Sequence, residues 1–310
     1  MSAGSLWSCA FLLLLSSIGS LWPAEISCRN EDGDPVDWFL LYKLPKYIRK
    51  ESPGTGLEYM YMDSLMQAWQ LSKFLINMTQ SALGQTLNQL YEAYKSKNDS
   101  TAYVIYNDDV PHSKHYSRKQ GHAKDKQLLC YNPNIYNCSI PDIFHSDLPN
   151  LQKLCVGSVL PLIPWRHLSK LQSAQGENFL HFAKSRFFVD DIYVAWMAQL
   201  LQTDLLAESW QHDGQKLPSN CSLQHHVYNI NLIKTPWNST FRSYYDHSKW
   251  CVSWRYEDQW TCIGDLNRAP QQAWRGGGFI CTQNQYIYKA FRHMIFHYHN
   301  CKITPEDGYE

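Results

Sequence analysis

At 310 residues, with 44% apolar and 14% aromatic content, the chain is long enough to bury a core as one large domain or two compact ones. Its 28 basic and 28 acidic residues balance, which excludes the strongly basic composition of many nucleic-acid-binding proteins at neutral pH. Thirteen histidines qualify that exclusion, because near pH 5 most imidazoles carry charge while most carboxylates stay ionised, so the neutral chain becomes a cation in acid.

The first element is an apolar run over residues 6–21. It is too short and too near the start for a spanning helix, and it ends among small residues, so it reads as a secretory leader cleaved after Gly19 or Ala24. No Lys or Arg precedes the run, leaving only the terminal amine as positive charge. No later segment reads as a membrane span, so a soluble, lumenal mature chain is expected. Five Asn-x-Ser/Thr sequons, at Asn77, Asn98, Asn137, Asn220 and Asn238, and ten cysteines fit the same route.

Residues 36–44 read as an aromatic-rich strand closed by Pro45, and 57–62 alternate as its hairpin neighbour, with Pro53, Gly54 and Gly56 turning the chain. Leu83, Leu87, Leu90, Tyr91 and Tyr94 fall at helical spacing and predict a helix that covers one face of the sheet. Residues 102–106 return as a strand, broken by the polar stretch from Asn107 to Pro111. His112, His115 and His122 stand near Asp108 and Asp109, but their spacing matches no zinc pattern, and a solvated loop is the preferred reading.

From Ser169 the chain is expected to turn helical, with Asp190 and Asp191 capping the segment 192–197. Strands are expected over 227–233, 260–263 and 279–282. Arg275 with Gly276, Gly277 and Gly278 can cradle a phosphate, although a tight turn before a strand is the simpler reading. Ile287, Phe291, Met294, Ile295 and Tyr298 form a last helical stripe. His293 and His297 lie four apart on it, but Met294 occupies the place of a zinc protease's glutamate, which argues against zinc.

The chemistry centres on Asp246, His247, Ser248, Lys249, Trp250 and Cys251, followed by Gly264, Asp265, Leu266, Asn267 and Arg268. A His and a Lys two apart on an extended strand share a face, so both can meet one phosphate group. Imidazole can attack phosphorus or protonate a leaving oxygen, and the ammonium offsets charge on the equatorial oxygens. Asn267 can add a neutral donor. The His-x-Lys pair recurs upstream as His122 and Lys124. Without Cys9 in the leader, nine cysteines remain, an odd number that leaves one thiol without a partner; Cys138 with Cys155 is one conceivable pair.

These motifs resemble, in order and over nearly all of the chain after residue 25, the deoxyribonuclease II family. The residues carrying the resemblance are Val36, Asp37, Trp38 and Phe39; Tyr42, Lys43, Leu44 and Pro45; Tyr106, Asn107 and Asp108; the two His-x-Lys pairs; 264–268; and 275–278. It implies an α/β, phospholipase D-like fold of two similar halves with mixed sheets flanked by helices. Those halves would be 25–145 and 146–310 behind a leader of 1–24, with both motifs at their interface and no metal or other cofactor. It implies His122 as nucleophile, forming a phosphohistidine, and His247 as general acid, the reverse assignment staying open. Lys124, Lys249 and Asn267 would hold phosphate oxygens, with double-stranded DNA as substrate in a lysosomal or extracellular setting. It further implies the disulfides Cys262 with Cys281 and Cys221 with Cys301.

The chain departs from the family pattern after Lys124. An apolar strand and a His-Ser-x-Pro stretch are absent, and Asp125, Lys126 and Gln127 run straight into Leu128, Leu129 and Cys130. This reads as an internal deletion, as in an alternative-splice form, that truncates the first half. The family partner of Cys28 falls in the missing stretch, which makes Cys28 the orphan. The alternatives are a secreted glycoprotein of the same ancestry without catalysis, because half a site cannot orient a nucleophile, and phospholipid hydrolysis by the same motif logic.

Overall fold

The computed structural model describes residues 26–46, 54–96, 99–107, 134–157, 164–211 and 216–301. The leader, His112, His115, His122, Lys124, Asn98 and Cys130 lie outside the described residues.

The expected N-terminal hairpin forms. After the short pair β1 (Cys28–Arg29) and β2 (Pro35–Val36), β3 (Phe39–Lys43) runs antiparallel to β4 (Tyr59–Asp63), and β5 (Gln70–Leu71) completes a three-stranded sheet. Pro45 follows the end of β3, as a residue without an N–H to give the ladder should. The predicted helix is α1 (Ala82–Ser96), started by Ser81, whose Oγ accepts from Gly84 N at 3.0 Å. Its first residue, Ala82, packs with Tyr59 and Tyr61 of β4, and among the described residues the rest of its apolar stripe is only partly covered. Leu83, Leu87 and Leu90 are half-buried, while Tyr91 and Tyr94 are 53% and 63% exposed. Its polar side chains meet β1: Thr86 Oγ1 accepts from Arg29 N at 2.9 Å, and Gln89 bonds both backbone groups of Ser27. β6 (Tyr103–Asn107) pairs antiparallel with β7 (Asn134–Ser139), and the Cys138–Cys155 disulfide ties β7 to α2 (Pro149–Cys155).

The remaining chain builds one large sheet. β8 (Arg166–Gln172) and β9 (Asn178–Lys184) form a hairpin, so the helix expected from Ser169 is corrected to two strands. Gly176, at φ 95°, turns the chain in a region that favours glycine, and β9 finds a second partner in a distant strand; hydrogen bonding on both sides outweighs a weak helical pattern. A π-helical turn (Tyr193–Met197) leads into α3 (Ala198–Leu201). Then come β10 (Leu205–Glu208), β11 (Val227–Lys234), β12 (Thr240–Arg242), β13 (Trp250–Ser253), β14 (Thr261–Gly264), β15 (Gly277–Thr282), α4 (Gln285–Arg292) and β16 (Ile295–His299). The strand order is β12-β11-β10-β13-β14-β15-β9-β8, with β16 also on β11; β10 and β11 are parallel and the other pairs antiparallel. The final stripe is likewise corrected: helix α4 ends at Arg292, and Ile295 and Tyr298 belong to β16, so His293 and His297 do not share a helix.

Strand alternation divides the core between the two faces of this sheet. Leu206, Trp250 and Val252 face one way, onto α4 (Ile287, Phe291) and the Met60 and Met62 side of β4. Leu205, Ala207, Cys251, Cys262 and Cys281 face the other, onto Tyr193, Trp196 and Met197. Helix α4 therefore lies between two sheets, with Ile287 2% and Phe291 3% exposed, and Trp69 Nε1 donates to Ala290 O at 3.1 Å from the N-terminal side. Cys262–Cys281 and Cys221–Cys301 form, as the resemblance implies. Among the described residues Cys28 has no disulfide partner, and neither has the buried Cys251, whose burial pushes its thiol well above its usual range.

Candidate active site

The antiparallel register that sets Glu208 opposite Trp250 brings the chain leaving β10 to the chain entering β13. At the same sheet end, Gly264 N donates to Lys249 O at 2.9 Å and residues 265–268 continue beyond β14. The topology thus collects Trp210, His247, Lys249 and Asn267, which lie far apart in sequence.

Residues 246–249 are an extended lead-in to β13 rather than part of the strand. Their foundation is Asp246, wholly buried, whose Oδ2 accepts from the Tyr42 hydroxyl at 2.5 Å and lies 2.6 Å from Ser248 Oγ; Oδ1 accepts from Ser248 N at 3.0 Å. Trp250 Nε1 donates to the Tyr42 hydroxyl at 3.3 Å. Tyr42 comes from β3, so the N-terminal hairpin helps to hold the segment. Above this foundation His247 lies stacked on Trp210, ring centroids 4.1 Å apart at 25°. The Lys249 ammonium donates to the backbone carbonyl of His247. Trp210 N donates to Asn267 Oδ1 at 3.1 Å, so Asn267 is tied to the residue whose ring stacks on His247.

Burial pushes the Asp246 carboxyl up despite its donors and the nearby Lys249 ammonium. Glu208, on the same face as Trp250 by alternation, is raised further by full burial and then by Asp246. Its Oε2 accepts from Ser243 Oγ at 2.6 Å, and its Oε1 has no hydrogen-bond partner among the described residues. His247 is pushed below its usual value by burial first, then by Lys249 and Lys43, against the opposing pull of Asp246.

A cavity of about 800 Å³ opens between β3 and residues 245–250. Lys43, Lys46, Lys249 and His247 line it, whereas its two acids, Asp246 and Asp265, are buried; a chain of zero net charge therefore presents a locally basic hollow suited to a phosphodiester. Asn267 and Arg275 are half-buried and do not line this cavity. Gly277 and Gly278 lie inside β15, where an added Cβ would strike Asp265 Oδ1 and Phe182 O respectively, and Gly278 N already donates to Asp265 Oδ1 at 2.9 Å. Gly277 and Gly278 thus allow close strand packing within β15, and the expected tight turn before that strand is Pro270–Trp274, with Arg275 between turn and strand. That turn is held by buried Lys184, whose Nζ donates to the carbonyls of Ala273 and Arg275 at 2.7 Å and whose pKa burial lowers to about 8.

Asp191 caps as expected, Oδ1 accepting from Tyr193 N at 3.0 Å, and its Oδ2 also pairs at 2.9 Å with Arg268, which is 2% exposed. Among the described residues no group of three or more His, Cys, Asp or Glu is placed to hold a metal ion. Sequence reasoning missed Trp210 and Glu208, which follow from register alone. Tyr42 carried a signal, since it stands in one of the motif stretches next to Lys43.

A family model described as Deoxyribonuclease II matches residues 27–125 and 125–301. The chain belongs to the deoxyribonuclease II family. It is 49% identical to human Deoxyribonuclease-2-beta, over 94% of this chain and 96% of that protein, and 47% identical to the mouse Deoxyribonuclease-2-beta, over 97% and 100%. Rat Deoxyribonuclease-2-alpha is 33% identical, over 91% and 97%. The human alignment spans 346 positions, more than the 310 residues of this chain, and the family match changes piece at residue 125.

Proposed function

We propose that the chain is an acid endonuclease that hydrolyses double-stranded DNA to fragments with 3′-phosphate and 5′-hydroxyl ends, without a metal or other cofactor. The observation that carries this reading is His247 beside Lys249 on a lysine-lined cavity, in a chain 49% identical to a named deoxyribonuclease. In this reading residues 25–145 and 146–310 are two phospholipase D-like halves. His122 attacks phosphorus as the P–O5′ bond breaks, and protonated His247 gives its proton to the departing O5′. Neutral His247 then takes a proton from water as the water oxygen attacks the phosphohistidine, releasing the 3′-phosphate and His122. Lys124, Lys249, Asn267 and Arg275 hold the phosphate oxygens.

An acid optimum follows from the physical setting of His247. The groups that depress its pKa make the protonated donor scarce at neutral pH and abundant in acid. We further propose entry into the secretory pathway after loss of residues 1–24, glycosylation at Asn77, Asn98, Asn137, Asn220 and Asn238, and residence in lysosomes or outside the cell. Asn77, Asn137 and Asn238 are exposed and Asn220 is half-buried. Among the described residues no helix is long and apolar enough to cross a membrane.

The second reading is a catalytically impaired secreted form. The family match breaks at residue 125, one position beyond Lys124, and the alignment longer than the chain supports a segment present in the relatives and missing here. Plasmid nicking by the purified full chain near pH 5 in EDTA, beside His247→Ala and His122→Ala, separates the two. Nicking lost in both variants, by ~10²–10⁴-fold, supports the enzyme. A folded chain that leaves plasmid supercoiled supports the second reading.

A further inference from the structure

Neither ring nitrogen of His247 makes a hydrogen bond to a described residue. The carboxylate next to it is spent elsewhere, on Tyr42 and Ser248. Many acid–base histidines are oriented by a polar partner on one nitrogen; here the ring is held instead by the indole against its face.

We propose that Trp210 is the positioning residue of this site, fixing the imidazole plane of His247 and, through its own backbone N–H, the amide of Asn267. The inference rests on reading His247 as the proton donor. Trp210 suits the task because it is pinned itself. Its Nε1 donates to Tyr244 O at 2.9 Å, on the turn that leads to His247, so indole and imidazole belong to one braced unit. Its chain neighbours are also tied, Ser209 Oγ accepting from Arg268 N at 3.2 Å and Gln211 Nε2 donating to Ile230 O at 2.5 Å. The N–H of Trp210 claims Asn267 Oδ1, so the amide's remaining group is a donor, Nδ2, which has no described protein partner.

The stack has an electronic consequence as well as a geometric one. An indole face attracts the imidazolium more than the neutral ring, so it holds the proton on His247. It acts with Asp246, and against burial, the largest depressing cause, and then Lys249 on the same segment and Lys43 on β3.

The test is an NMR titration of the His247 ring in the full chain and in Trp210→Leu and Trp210→Phe, with nicking kinetics in parallel. In Trp210→Leu the titration midpoint is expected to fall by about half a unit or more. Nicking should lose ~10-fold or more in kcat with KM for plasmid within about twofold, and the alkaline limb of its pH profile should move down with the midpoint. Trp210→Phe, which keeps a ring face, should restore most of both. An unchanged His247 midpoint in folded Trp210→Leu overturns the proposal, whatever the activity. If no form nicks plasmid, the catalytic reading fails on its own, and the titration still decides whether Trp210 governs the imidazole.

Discussion

Helices α1 and α4 carry the same kind of apolar stripe and meet opposite fates. Both have polar caps, Ser81 and Asn284, and both show apolar residues at helical spacing. Helix α4 is enclosed between two sheets, and Phe291 touches Tyr42, Trp69 and Trp250 rings at centroid distances of 6.3, 5.2 and 5.0 Å. In α1 the Tyr91 and Tyr94 end of the stripe stays open. Periodicity tells a helix which face to bury; it does not supply what covers that face. On the second reading the relatives carry additional sequence at the family-match junction, residue 125, which lies beyond α1 in the chain.

Four measurements sharpen or break this contrast. Phe291→Ala removes the ring around which the two sheets meet and should cost ~3–5 kcal/mol in urea unfolding. A cost below ~1 kcal/mol would mean that α4 is no more essential than α1. Arg268→Ala, beside the other core cluster, which holds Tyr193 and Leu266, strands Asp191 without its ion partner and should cost ~3 kcal/mol by the same assay.

Glu208→Gln tests the buried acid beneath the site. Its carboxyl is raised in the folded state, so below the unfolded pKa both states are protonated and nothing is lost. Above that pKa the unfolded state ionises first, so this group's contribution turns unfavourable as pH rises toward the folded value. Glutamine keeps an acceptor for Ser243 and cannot ionise. The variant should gain ~1 kcal/mol or more at pH 7 and nothing near pH 4, read from urea midpoints across that range. A gain of equal size at both ends would rule out the linkage. The smallest effect belongs to α1: Tyr94→Ser, on its open end, should change stability by less than ~0.5 kcal/mol. A loss of several kcal/mol there would mean that the stripe is covered after all.

Much of this molecule was legible without coordinates. Local chemistry announced the β3–β4 hairpin, α1, the strands over 227–233, 260–263 and 279–282, and the capping role of Asp191, because alternation, turn residues and side-chain caps act within a few residues. The His247 and Lys249 pair and the family were readable for the same reason, as short motifs. The failures share one cause. Residues 169–172, 178–184 and 295–299 are strands because β15 offers β9, and β11 offers β16, a hydrogen-bonding edge, and the glycines at 277 and 278 make room for Asp265 and Phe182. A strand's partner lies anywhere in the chain, so no window of sequence contains it. Likewise, only the tertiary register could set Trp210 on His247, Tyr42 on Asp246 and Glu208 beneath both. Which groups are fitted to phosphoryl chemistry can be read from side chains one at a time; which neighbours orient them and set their charge cannot, since burial and contact exist only once the sheet has formed.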